Sequence, residues 1–63
     1  MKIVVKDNFA RETVSEYVLA EGISSRGCAE VMTKALNDRY GGEHSSFYAV
    51  AVEDDYVLYK FEP

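Results

Sequence analysis

A chain of 63 residues with a net charge of −4 is a single small domain, and burying about 60% of its unfolded surface leaves it little stability to spare. One cysteine, Cys28, excludes an internal disulfide and a cysteine-rich zinc site. No apolar run approaches the ~18 residues of a membrane span, and a negative balance disfavours direct binding to a phosphate backbone.

The opening "MKIVVKDNFARE" has an apolar stretch far shorter than a signal-peptide core. With a lone thiol, it fits a cytoplasmic protein. The charge is unevenly placed. Residues 1–42 hold six acids and six bases, whereas residues 43–63 hold Glu43, Glu53, Asp54, Asp55 and Glu62 against Lys60 alone. The negative excess therefore lies in the C-terminal third.

In chain order, "KIVV" (2–5) is β-branched and reads as a strand. Asp7 or Asn8 can cap a following helix, and Ala10, Val14, Tyr17 and Val18 recur at helical spacing up to Gly22. A second helix is predicted from Ser24 or Ser25 as N-cap. Its stripe is Cys28, Val31, Met32, Ala35, Leu36 and Tyr40, and "GG" (41–42) ends it. Then "FYAVAV" (47–52), "EDD" and "YVLYKF" (56–61) give a β-hairpin signal.

A tight turn at Asp54-Asp55 pairs Val52 with Val57, Val50 with Tyr59 and Tyr48 with Phe61. Those large residues share one face, predicted to carry both helices. The opposite face shows Phe47, Ala49, Ala51, Leu58 and Lys60, shallow and apolar, which suits a homodimer contact. The expected fold is α+β in the order β-α-α-β-β, one domain over 1–63, with the two helices on one sheet face.

Three adjacent carboxylates at a hairpin tip, with no glycine to bend the backbone around an ion, read first as a solvated turn. The second reading is an acidic contact for a basic partner. Cys28 falls on an apolar helix stripe, where a buried inert thiol is the ordinary role, and His44 sits in a loop. No serine has a nucleophile-elbow context, and neither "GISSRG" nor "GG" has the spacing of a phosphate loop. Five tyrosines and three phenylalanines supply core and interface area. Tyr17, Tyr48 and Tyr59 are expected in the core, and Tyr56 at an interface.

At "VKDNFARETVSEYVLAEGI", "KALNDRYGG" and "EDDYVLYKFEP" the chain resembles short acidic proteins encoded by bacteriophages of Gram-positive hosts. The resemblance covers most of the chain and implies a small accessory protein working in a host cytoplasm. Some such proteins bind host factors, and some acidic ones imitate DNA to occlude basic proteins. More weakly, the order of a strand, two helices and then strands is similar to the dynein light chain, whose Trp-His pair after the helix is absent here.

The expectation is a non-enzymatic interaction protein without cofactor or metal. Its partner is a basic host protein, met through Glu43, Glu53, Asp54, Asp55, Tyr56 and Glu62. Self-association is expected through Phe47, Ala49, Ala51 and Leu58. The alternatives are a small metal- or thiol-dependent enzyme using Glu53, Asp54, Asp55, His44 or Cys28, and a weak nucleic-acid binder using Lys2, Lys6 and Arg11.

Overall fold

A computed structural model describes residues 1–41 and 45–62. Strand β1 (Lys2–Asp7) runs up the middle of a three-stranded sheet. Strand β2 (Tyr17–Ala20) lies on one side of it and strand β3 (Phe47–Val52) on the other, both antiparallel. One helix, α1 (Arg26–Tyr40), joins β2 to β3. The α+β class holds, but the element order is β-β-α-β.

The central place of β1 follows from its composition. A strand covered on both faces must be apolar on both, and Ile3 and Val4, which point to opposite faces, are each 0% exposed. Val5 completes the run. Burying each such side chain stabilises the fold by about 1.5–3 kcal/mol. Beyond β2 the ladder continues, since the N-terminal ammonium donates to the Ile23 carbonyl at 2.8 Å and the Ile23 amide donates to the Met1 carbonyl at 3.2 Å.

The helix expected after Asp7 does not form. Asp7 does accept amides as a cap would, from Phe9 at 3.2 Å and Arg11 at 2.7 Å. Its carboxylate also takes Arg11 Nε and Nη2 at 2.8 Å each. The chain then leaves the helical path, with Ala10 at φ 52 and two separate turns closing at Ala10 and Val14. "TVSEYVLA" is rich in β-branched and aromatic residues, and β1 offers it a free edge; pairing there outweighs an isolated helix. Gly22 keeps its left-handed conformation, φ 75, in the link to α1 rather than at a helix end.

The second helix forms where expected. Ser25 is its N-cap, with Oγ accepting the Cys28 amide at 3.1 Å, and the Gly41 amide closes it onto the Asn37 carbonyl at 2.9 Å. Its orientation differs from the apolar stripe. The row facing the sheet is Ala29, Thr33 and Asn37, flanked by half-buried Leu36, whereas Cys28, Val31, Met32 and Ala35 face outward, with Val31 70% exposed. The Asn37 side chain decides this. Its Oδ1 accepts the Ala49 amide at 2.8 Å and its Nδ2 donates to the Ala49 carbonyl at 2.9 Å. That pair satisfies the backbone of β3, an edge strand, and ties the helix to it. Thr33 turns its hydroxyl back to the Ala29 carbonyl at 3.0 Å, so it is buried without an unmet donor.

The C-terminal hairpin is also absent. Val52 pairs with Lys2 rather than Val57, and every β3 residue has its partner on β1. A turn at 53–56 closes from the Tyr56 amide to the Glu53 carbonyl at 3.1 Å. Residues 56–62 then cross the sheet outside any strand. Tyr56 lies against Lys6, which alternates with Val5, so this segment covers the face opposite α1. The helix occupies the alanine face: Leu36 borders the same groove as Val5 and Ala49. The two faces are thus reversed from expectation, because small residues at Ala49 and Ala51 admit the close approach of a helix.

Candidate functional site

An open apolar groove lies between the C-terminal end of α1 and β2. Val5 forms its floor, Tyr17 and Leu19 come from β2, Leu36 and Tyr40 from α1, and Phe47 from β3. The groove holds about 280 Å³. Its rim is exposed, with Tyr17 at 51%, Leu19 at 48% and Tyr40 at 71%. Tyr17 and Leu19 are exposed because α1 leans towards β3, where Asn37 anchors it, and leaves β2 uncovered. Arg39 stacks on the Tyr40 ring at 5.5 Å, placing one cation at the rim. Such a surface can seat an apolar or aromatic segment of another molecule.

The acidic turn stands elsewhere. Phe47, at the groove, and Val52, next to the turn, are the two ends of β3, roughly 17 Å apart along the strand. Two of the turn's three carboxylates are already paired. Glu53 meets Arg26, and Asp54 meets the N-terminal ammonium at 2.9 Å. Asp55 is exposed and has no ion pair among the described residues. Glu62 is exposed near the end of the chain, and Glu43 and His44 lie outside the described residues.

Tyr56 is half-buried and committed inward. Its hydroxyl donates to Glu16 Oε1 at 2.7 Å, and Lys6 Nζ sits 5.0 Å from its ring centre. Of the residues expected at a dimer contact, Ala49 is buried beneath α1, Ala51 and Leu58 are half-buried and Phe47 is exposed at the groove. The hairpin that would have set Leu58 beside the other three does not form, so they make no single flat face. Tyr17, Tyr48 and Tyr59, expected in the core, are all partly exposed, and so is Cys28.

Glu16, which no sequence pattern singles out, organises the opposite sheet face. Oε1 accepts the Tyr56 hydroxyl and the Tyr59 amide, Oε2 lies 3.8 Å from Lys6, and the Glu16 amide donates to the Tyr59 carbonyl at 2.9 Å. Burial pushes its carboxyl upward, but the Tyr56 hydroxyl, the Tyr59 amide and Lys6 together outweigh that, and the net effect holds it below the ordinary value. The Tyr56 contact, with Glu16 behind it, raises Lys6 against a smaller opposing effect of burial. Arg11 holds Asp7 well below the usual carboxylate range.

Among the described residues no group of three or more His, Cys, Asp or Glu side chains is placed to hold a metal ion, and no helix is long and apolar enough to cross a membrane. Fold and surface together define a small α+β domain that displays large apolar side chains around an open groove. No family model, curated protein or solved structure matches the chain.

Proposed function

We propose that the chain is a non-enzymatic interaction protein whose groove seats an apolar segment of a basic host protein. The observation that carries this is the imbalance between displayed and buried apolar residues. Tyr17, Leu19, Tyr40 and Phe47 stand exposed around one groove, whereas the buried hydrophobic core comprises Ile3, Val4, Val5, Ala29 and Ala49. The accessible surface, 4557 Å², also exceeds the ~4,100 Å² expected of a folded monomer of this size.

The net charge of −4 supports a basic partner through long-range steering. The acidic turn contributes less to contact than its three carboxylates suggest, because Arg26 and the N-terminus lie against two of them and offset part of their charge. A DNA-mimicking surface is thereby reduced to Asp55, Glu62 and the overall field. Resemblance to short acidic phage proteins supports a host protein, met in the host cytoplasm, as the partner. A second copy of the chain would use the same groove, giving a homodimer.

The test is capture from a host lysate by the wild-type protein, by Leu19→Asp and by Asp55→Lys, each at low and high salt. Loss of a specific captured protein in Leu19→Asp, with partial loss in Asp55→Lys, is the expected pattern. Capture indifferent to Leu19→Asp would remove the groove from the reading. Sedimentation equilibrium on the same proteins reports whether the occupant is a second copy.

A further inference from the structure

On the sheet face opposite α1, a second open cleft of about 430 Å³ lies beside the C-terminal segment. Tyr48 and Tyr59 form aromatic walls, and Lys6, Arg11, Asp7, Glu12 and Glu16 contribute charge, with Ala10 between them. We infer that this cleft is a binding site for an organic cation, the ammonium or guanidinium of a lysine or arginine side chain on a protein partner.

The sign of the ligand follows from the pairing inside the cleft. Arg11 is taken up by Asp7 through two side-chain hydrogen bonds at 2.8 Å, and Lys6 is taken up by Glu16 and the Tyr56 ring. Each cation is thus already opposed by a carboxylate, which weakens its hold on an anion. Three carboxylates against two cations leave the lining one negative charge in excess, and that charge is Glu12, whose carboxylate has no ion pair or hydrogen bond among the described residues.

The aromatic walls supply the second half of the argument. Tyr48 is 38% and Tyr59 45% exposed, so each ring offers open surface to a ligand. The Tyr59 hydroxyl donates to the Glu12 carbonyl, which ties that ring to the segment carrying the free carboxylate. A cation against a tyrosine face with a carboxylate alongside gains from both ring quadrupole and charge. The fold already uses this chemistry twice nearby, with Lys6 on Tyr56 and Arg11 on Phe9 at 5.5 Å.

The cleft shares Tyr48 with the groove, but Glu12 and Tyr59 line the cleft and not the groove, and the experiment reads the two sites through them. Isotope-labelled full-length protein is titrated by NMR with Nα-acetyl-lysinamide, Nα-acetyl-argininamide, the uncharged Nα-acetyl-norleucinamide and tetramethylammonium. Saturable shifts at Glu12 and Tyr59 with the first two probes, absent with norleucinamide and weakened by salt, are expected. Glu12→Gln should weaken binding roughly 3- to 10-fold, whereas Leu19→Asp in the groove should leave it unchanged. Equal shifts with norleucinamide, or unchanged binding in Glu12→Gln, would overturn the cation site. Tighter binding of tetramethylammonium than of either side-chain probe would overturn its assignment to a protein side chain.

Discussion

Glu16 and Tyr56, 40 residues apart, meet at 2.7 Å where the C-terminal segment crosses β1, and this contact closes the sheet face that the helix leaves open. The segment has no strand pairing of its own. Tyr56, Tyr59 and Phe61 reach back to Glu12, Ser15 and Glu16 by hydrogen bonds instead.

Tyr56→Phe removes the hydroxyl and leaves the ring, so it should destabilise the fold by about 1–2 kcal/mol, a hydrogen bond to a charged acceptor. Urea unfolding of the two proteins measures the difference. Equal midpoints would mean that the hydroxyl adds nothing to the segment's other hydrogen bonds and apolar contacts.

Glu16 also confers a pH dependence. Its folded carboxyl lies below the ordinary value of 4.5, so its contribution is present above that pH and is lost as pH falls through the lower folded value. Stability should decline on acidification below about pH 4.5, and Glu16→Gln should flatten part of that decline. A pH series of unfolding midpoints for both proteins checks this. Parallel curves would show that other carboxylates, Asp7 foremost, account for the acid sensitivity.

Asn37→Ala strips both hydrogen bonds from the Ala49 backbone at the sheet edge and should cost about 2–3 kcal/mol. Hydrogen exchange at the Ala49 amide should accelerate with it. A slow, unchanged Ala49 amide in the variant would place its protection elsewhere.

The helix orientation separates two further substitutions. Ile3→Ala should cost about 2–5 kcal/mol, because Ile3 is fully buried, whereas Val31→Ala should stay within about 0.5 kcal/mol. Were the apolar stripe the buried one, Val31→Ala would be costly as well. The exposed Cys28 thiol supplies an independent readout, since a thiol reagent should modify it in the folded protein without denaturant.

The helix of 26–40 is legible in sequence because its signals are local: a serine cap, apolar residues at helical spacing and glycine at the end. The strand at 2–5 is equally plain from its β-branched residues. The segment 8–22 is not, because Ala10, Val14, Tyr17 and Val18 satisfy a helical period while their neighbours favour a strand; only the free edge of β1 resolves it. The candidate site was less legible still. The acidic run is conspicuous in sequence, yet two of its three carboxylates lie against Arg26 and the N-terminus, partners brought near only by the fold.

Local chemistry along the chain thus determined two strands, at 2–5 and 47–52, one helix with its caps, the α+β class and a negative charge weighted to the C-terminal third. The tertiary structure decided which residues face inward. A hydrogen-bonding carboxamide at Asn37 outweighed the apolar stripe of α1, since an unmet edge backbone costs more than a few exposed methyl groups. It also decided that "FYAVAV" pairs with the first strand rather than with "YVLYKF". The apolar β1 needs a neighbour on each side, and β2 and β3 fill both its edges.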